Sequence, residues 1–318
     1  MYPLLLKPAM KDYLWGGTKL KEEWGFETDK NIAAEAWLLS SHKDGDGIVA
    51  NGELKGKAFS EVLSLWGKEA LGERAERFSY FPILIKFIDA KQSLSVQVHP
   101  DDEYALKNEG EFGKSEMWYI VDCEEGAELI YGFKENISKE EFERRIKDNT
   151  LPEVCNYVPV KKGDVFFIEA GTLHAIGAGI LICEVQQNSN STYRVWDFGR
   201  VGADGKPREL HIDKALDVTK CEKPTRPYGR VGEIVGDEKD FKRELVNCDL
   251  FKSGIMKISE KGSINTNKSF TSLIFLDGEA EVIWEDGSLT AKKGDSIFVP
   301  AGIEVKIKGN AELLYAYV

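Results

Sequence analysis

The chain has 318 residues, 42% hydrophobic and 30% charged, enough for two buried cores at roughly 100–200 residues per domain. Its 54 acidic side chains outnumber 42 basic ones for a net charge of −12, which excludes a general nucleic-acid binder, whose hold on phosphate needs clustered Lys and Arg. Leu4-Leu5-Leu6 is far too short for a signal core or for the roughly 20 apolar residues of a membrane span, so the protein is expected in the cytoplasm, away from the membrane.

From the N-terminus, the first helical pattern runs from Ser60 to Phe78, with Val62, Leu63, Leu65, Trp66 and Ala70 at helical spacing. Leu94-Ser95-Val96-Gln97-Val98-His99 then alternates like a strand and puts Ser95, Gln97 and His99 on one face. That face belongs to a plain amphipathic strand if it looks to water, and to a ligand set if it looks into a barrel. Met117–Val121 and Glu128–Tyr131 are β-branched and aromatic runs between turn residues, which read as antiparallel strands. Glu116 stands at the start of the first, where the plain alternative is an edge carboxylate. Ser138 and Glu141 form a capping box ahead of Phe142 and Ile146. A third helix is expected from Arg208 to Lys220 on the stripe Leu210, Ala215, Leu216 and Val218, followed by a linker over 221–232 at Pro224, Pro227 and Gly229.

An internal repeat organises the whole. Lys161-Lys162-Gly163-Asp164-Val165-Phe166-Phe167-Ile168-Glu169-Ala170-Gly171 returns as Lys292-Lys293-Gly294-Asp295-Ser296-Ile297-Phe298-Val299-Pro300-Ala301-Gly302. Two copies of one β fold follow, over residues 1–222 and 223–318. In the second, Leu273–Leu276 and Glu281–Trp284 read as strands divided by a turn at Asp277-Gly278. The first copy continues Gly171-x-x-His174, whereas Val305 holds the equivalent place in the second, and Thr271 and Ser272 stand where Glu116 would. The second copy is therefore expected to be metal-free, kept for packing or for shaping a cleft. Five cysteines without a C-x-x-C pair offer neither a disulfide framework nor a cysteine zinc site.

Gln97-x-His99, Glu116 and the glycine-spaced His174 together resemble the cupin superfamily, whose metal site is assembled from two motifs on neighbouring strands. Trp15-Gly16-Gly17, Glu35-Ala36-Trp37, Gln97-Val98-His99-Pro100-Asp101, Lys114-Ser115-Glu116-Met117-Trp118, Gly171-Thr172-Leu173-His174-Ala175, and Glu184 through Tyr193-Arg194 resemble the type I mannose-6-phosphate isomerases, in their short bacterial form. The likeness is strong over residues 1 to about 220 and architectural beyond. It implies a mainly β fold of two cupin-type jelly-roll barrels with a few inserted helices. It also implies one zinc ion per chain on Gln97, His99, Glu116 and His174, and a catalytic Arg194. Zinc takes imidazole nitrogen and carboxylate oxygen readily, and a catalytic zinc keeps a position open.

The implied reaction interconverts mannose 6-phosphate and fructose 6-phosphate through a cis-enediol, whose charge a Lewis acid and a cation such as Arg194 would stabilise. With a net charge of −12, local cations must hold the phosphate. Lys114, on the face of Glu116, is expected to do so. Glu184 is a candidate for proton transfer, or a carboxylate that orients Arg194. A monomer or weak homo-oligomer is expected. A metal cupin oxygenase and a non-catalytic sugar-binding bicupin compete with this reading; the Gln97 ligand with the Lys114 and Arg194 cations disfavours the first, and a full ligand set in one barrel disfavours the second. Asp101 and Asp102 are expected as solvated turn residues, His42 as a turn residue and His211 as surface. Trp15, Trp37, Trp118 and Trp196 read first as core and second as pocket wall.

Overall fold

The computed structural model describes residues 1–201 and 205–318. Its strands form three large sheets, antiparallel throughout. A six-stranded sheet runs in the spatial order Val165–Ile168, Glu116–Cys123, Ile180–Gln187, Ile83–Ala90, Glu35–Leu39, Ala9–Lys11. A five-stranded sheet runs Cys155–Pro159, Glu128–Phe133, His174–Ala175, Val96–Val98, Tyr193–Trp196. Trp118, Ile120, Phe166 and Ile182 from the first meet Leu129 and Tyr131 from the second in one core. The alternate residues of the six-stranded sheet, among them Met117, Tyr119, Cys183 and Val185, pack the other way, against the C-terminal half. Ile83–Ala90 and Ile180–Gln187 are thus buried along their full lengths, and for that reason both read as apolar runs rather than alternating strands.

The third sheet has ten strands and wraps Met256, Leu273, Phe275, Ile297, Val305 and Leu313. The mainly β expectation holds, but in hydrogen-bonding terms these are open sheets packed face to face rather than two closed barrels. Two of the ten strands come from the chain's beginning: Leu4–Lys7 pairs with Ser296–Val299 on one side and Ile48–Val49 on the other. One apolar cluster accordingly joins Leu4, Leu38 and Phe87 to Leu245, Phe298 and Leu314.

The repeat builds the same corner twice. Lys161 and Lys292 each accept from the N–H of the Asp three residues on (3.0 and 2.9 Å), with Gly163 and Gly294 at φ 88° and 92°, the left-handed third position a type II turn reserves for glycine. Asp164 and Asp295 return a carboxylate to the N–H of the same lysines at 2.9 and 2.8 Å.

Helices are few. Ser138 caps Lys139–Lys147 by accepting from the Glu141 N–H at 3.1 Å. The pattern from Ser60 yields only Phe59–Trp66, because Gly67 at φ 69° turns the chain out of the helix and two short 3-10 turns follow. The helix expected over Arg208–Lys220 spans only Ile212–Val218. Asp277-Gly278 does not end a strand: Thr271–Trp284 runs through it with a bulge between Phe275 and Asp277, and pairs on both sides of it with Val305–Tyr317. Gly278, at φ 74°, lets a bulged strand bend without breaking its ladder.

Candidate metal centre and cleft

His99 lies just past the strand Val96–Val98, and His174 opens a two-residue strand that pairs with it, His174 opposite Gln97. Glu116 opens its own strand on the facing sheet. The alternating face of Ser95, Gln97 and His99 therefore looks inward. His99 and His174 each direct Nδ1 at a backbone carbonyl, Ser191 at 2.9 Å and Thr172 at 2.8 Å. A carbonyl only accepts, so Nδ1 carries the proton and Nε2 presents its lone pair. The two Nε2 atoms face each other at 3.1 Å. Glu116 completes the group, its Oε1 at 3.4 Å from His174 Nε2 and its Oε2 at 3.5 Å from His99 Nε2. The Gln97 side-chain amide is 3.3 Å from His174 Nε2. Two imidazole lone pairs and a buried carboxylate oxygen with no hydrogen-bond partner, Glu116 Oε1, converge here, with the Lys114 ammonium and the Gln97 amide against the two Nε2 atoms. Such a set fits a divalent cation. Among the described residues it is the one group of three His, Cys, Asp or Glu side chains so placed.

Burial keeps both imidazoles neutral: it pushes His174 down to about 3 and, with Lys114 and His174 adding to it, holds His99 well below the ordinary histidine range. Burial also drives the Glu116 carboxyl up, to about 8, with Glu184 adding and Lys114 opposing. Glu184 goes the other way. Burial raises it, but Lys114, Lys86 and a hydrogen bond from the Trp118 indole (2.9 Å) hold it below the ordinary carboxylate value.

Lys114, expected at the phosphate, lines the cleft from deep inside it. Sharing the face of Glu116 takes it to the floor of the site, where it is 3% exposed, in contact with Glu116 and 3.2 Å from His99 Nε2. Glu184 lies 3.9 Å from it and 3.5 Å from Lys86, which approaches Glu35 at 3.9 Å and lies over the Trp37 ring. Lys86 and Glu35 are site residues that sequence reasoning did not assign. A signal was present: Lys86 is a lone cation in Ile83-Leu84-Ile85-Lys86-Phe87-Ile88, and a charge inside a fully buried strand requires a partner. Strand register supplies it, because Lys86 stands opposite Glu184 on one side and Trp37 on the other.

Above this floor opens a cleft of about 290 Å³, walled by Tyr13, Trp15, Leu94, Asn190, Arg194 and Arg208. Arg194 is directly opposite Gln97 in register, and its guanidinium donates to Ser95 Oγ (3.3 Å) and the Glu209 carbonyl (2.8 Å). Arg208 is paired with Asp197 at 2.6 Å. Of the tryptophans, Trp15 lines the cleft, Trp118 and Trp37 are fully buried behind it, and Trp196 lies elsewhere, donating to Asn149.

Three minor expectations change. Asp101 caps the helix Asp102–Asn108, and Asp102 accepts from Gly113 N–H (2.7 Å) and Gln187 Nε2 (2.8 Å), so both anchor the loop between the ligands instead of merely being solvated. His42 ends the short strand Ser41–His42, just before the turn, and is buried, 3.4 Å from Glu111 and edge-on to Trp37. His211 is half-buried and accepts from the Arg194 backbone N–H at 3.1 Å.

Comparison with known proteins matches this architecture. The family model "Phosphomannose isomerase type I, catalytic domain" covers residues 4–142, and "Mannose-6-phosphate isomerase, cupin domain" covers 242–318. The chain is 38% identical, over 99% of both sequences, to mannose-6-phosphate isomerase ManA of Bacillus subtilis. It is 35% identical to mannose-6-phosphate isomerase of Streptococcus mutans, over 99% of this chain and 98% of that one. The crystal structure of the mannose 6-phosphate isomerase from Bacillus subtilis aligns over the whole of both chains with a TM-score of 0.91 at 33% identity.

Proposed function

The chain belongs to the type I phosphomannose isomerase family, and from that premise we propose that it is a zinc-dependent enzyme interconverting mannose 6-phosphate and fructose 6-phosphate. The observation that carries this is the convergence of two imidazole lone pairs and an unpartnered buried carboxylate oxygen beneath a cleft edged by arginines. His99, His174 and Glu116 would hold the metal, with the Gln97 amide turned to offer its oxygen. Bound there, zinc would supply Lewis-acid polarisation of the sugar carbonyl and stabilise the charge of a cis-enediol. The site lies in residues 1–222, and the division from 223–318 is one of function.

The chain's own residues account for the rest. Isomerisation moves a proton between C2 of the aldose and C1 of the ketose, which calls for a base near both carbons. Glu184 is held ionised by Lys86 and Lys114 and keeps one oxygen, Oε2, without a hydrogen bond. It is our candidate for that base. Lys114, fixed between Glu116 and Glu184, places a cation at the oxygens that gain charge. Arg194 reaches the same space from the facing sheet with a planar fork suited to an oxyanion, and Arg208 adds charge at the mouth, where the phosphate would sit. All of these groups come from one chain, so a monomer suffices. A coupled assay with mannose 6-phosphate on zinc-loaded protein tests the proposal: turnover that disappears on chelation and returns with zinc is expected, and a fully loaded protein without turnover would refute it.

A further inference from the structure

The second β unit keeps a cleft where the first has its metal centre. Ile168 pairs with Glu116 as Val299 pairs with Thr271, and His174 pairs with Gln97 as Val305 pairs with Ile264. Gly171 N–H donates to the His99 carbonyl as Gly302 N–H donates to Thr266. Ile264, Thr266, Thr271 and Val305 therefore stand in the places of the four ligands. Glu184 is opposite Trp118 and Lys86; the matching residue, Tyr315, is opposite Leu273 and Gly254. A β-carbon at Gly254 would lie 2.3 Å from the Tyr315 phenol oxygen, so the tyrosine fills the space that Lys86 takes in the first unit. Every group that binds metal or moves a proton is gone.

The cavity itself has not closed. It measures about 450 Å³ against about 290 Å³ for the cleft assigned to a hexose phosphate, so a ligand of that size fits. Arg74, Lys242 and Lys268 stand on its rim and Tyr315 and Tyr317 on its wall, with parallel rings. Lys268 is paired with Glu73, but among the described residues no carboxylate comes within 4.0 Å of the charged groups of Arg74 or Lys242. Thr271, only 4% exposed, lines the cavity at the position of Glu116, and its hydroxyl makes no hydrogen bond among the described residues. None of the residues lining the cavity is acidic.

We propose that this second cleft binds a phosphorylated sugar without transforming it, the phosphate on Arg74 and Lys242, the ring against Tyr317, and a sugar hydroxyl on Thr271. Exposed cations with no carboxylate partner, Arg74 over the Tyr317 ring and Lys242 beside the Ser263 carbonyl, suit a phosphomonoester, and flat aromatic walls with hydroxyl and amide donors suit a polyol. Arg74 belongs to a turn of the N-terminal half, and its N–H donates to Lys268 of the C-terminal half at 3.1 Å, so the ligand would touch both halves at once.

Calorimetric titration of the zinc-loaded protein with ribose 5-phosphate, inorganic phosphate and ribose tests this. Ribose 5-phosphate should bind, ribose should not, and inorganic phosphate should bind more weakly than the sugar phosphate. Arg74→Ala and Lys242→Ala should each weaken ribose 5-phosphate by about tenfold, one charge-assisted contact, and Arg194→Ala should leave it in place. Mannose 6-phosphate turnover by Arg74→Ala at saturating substrate should match the parent, which shows that the variant folds. The proposal is overturned if ribose 5-phosphate does not bind at millimolar concentration, if both rim variants bind it normally, if Arg194→Ala alone abolishes binding, or if inorganic phosphate binds as tightly as the sugar phosphate.

Discussion

At His99 and His174 the proton is committed to a backbone carbonyl, so the fold decides that each ring presents its lone pair at Nε2. Replacing His99 or His174 by Ala, or Glu116 by Gln, should remove metal and turnover together, because the three share one ion. The fold should persist, since the core of Trp118, Leu129, Tyr131 and Phe166 does not depend on the site; metal analysis beside circular dichroism checks both halves of the statement. Glu116 also predicts a pH dependence. Its carboxyl is raised to about 8 in the metal-free fold, from 4.5, so its contribution to stability is present at low pH and lost as pH rises through about 8. The histidines have lowered values, and theirs is lost as pH falls below about 6.5. Of these three groups only Glu116 acts between about pH 6.5 and 8, and its share of the stripped protein's stability should fall by at most about 1.4 kcal/mol per pH unit. Metal affinity should rise over the same window because the ion no longer displaces a proton. Urea titrations with and without metal would show a flat dependence in the stripped protein if this account were wrong. Arg194→Lys should retain zinc and lose most turnover, since a point charge replaces a planar fork; parental kinetics at full metal content would contradict its role.

At the level of elements, short segments hold the site and tolerate little change. Gly177 follows the two-residue strand of His174, and a β-carbon there would lie 1.7 Å from the Glu128 carbonyl oxygen, a backbone atom in the adjacent strand. Gly177→Ala should destabilise the protein by about 1–3 kcal/mol and weaken metal binding by shifting His174, both measurable by denaturation and chelator competition. Ser138→Ala removes a cap far from the cleft and should cost about 1 kcal/mol with no change in turnover. The Ser138 cap was legible because its hydrogen bond spans three residues of sequence, whereas Glu141 turns to Arg144 and Arg145 rather than closing the box. The helix from Ser60 was read too long, since its apolar spacing continues past Gly67 while the backbone does not. The bulge at Asp277 escaped because Asp-Gly has the same composition in a hairpin turn and in a bulge, and only the common partner strand tells them apart.

For the molecule as a whole, the first strand is hydrogen-bonded into the last sheet, and one core crosses both halves. Thermal unfolding should therefore follow a single transition by any probe, and residues 223–318 expressed alone should not fold, because Phe298, Leu314 and Ala316 lose the apolar residues that cover them. Two separated transitions would show the halves to be independent. One ion per chain is expected in the parent, and Val305→His should add no second one, because Ile264, Thr266 and Thr271 leave the new imidazole without partners.

That Ser95, Gln97 and His99 share a face was legible in the sequence because strand alternation is local; Glu116 and His174 were joined to them by the family resemblance, and it is strand pairing across the fold that brings His99, Glu116 and His174 together. The same locality made the repeated corner visible. Lys86 and Glu35, the depth of Lys114 and the partner of the first strand were decided by tertiary structure. Each depends on the register between strands far apart in the chain, such as Glu184 against Lys86, and register is set by how whole sheet faces pack rather than by any run of neighbouring residues.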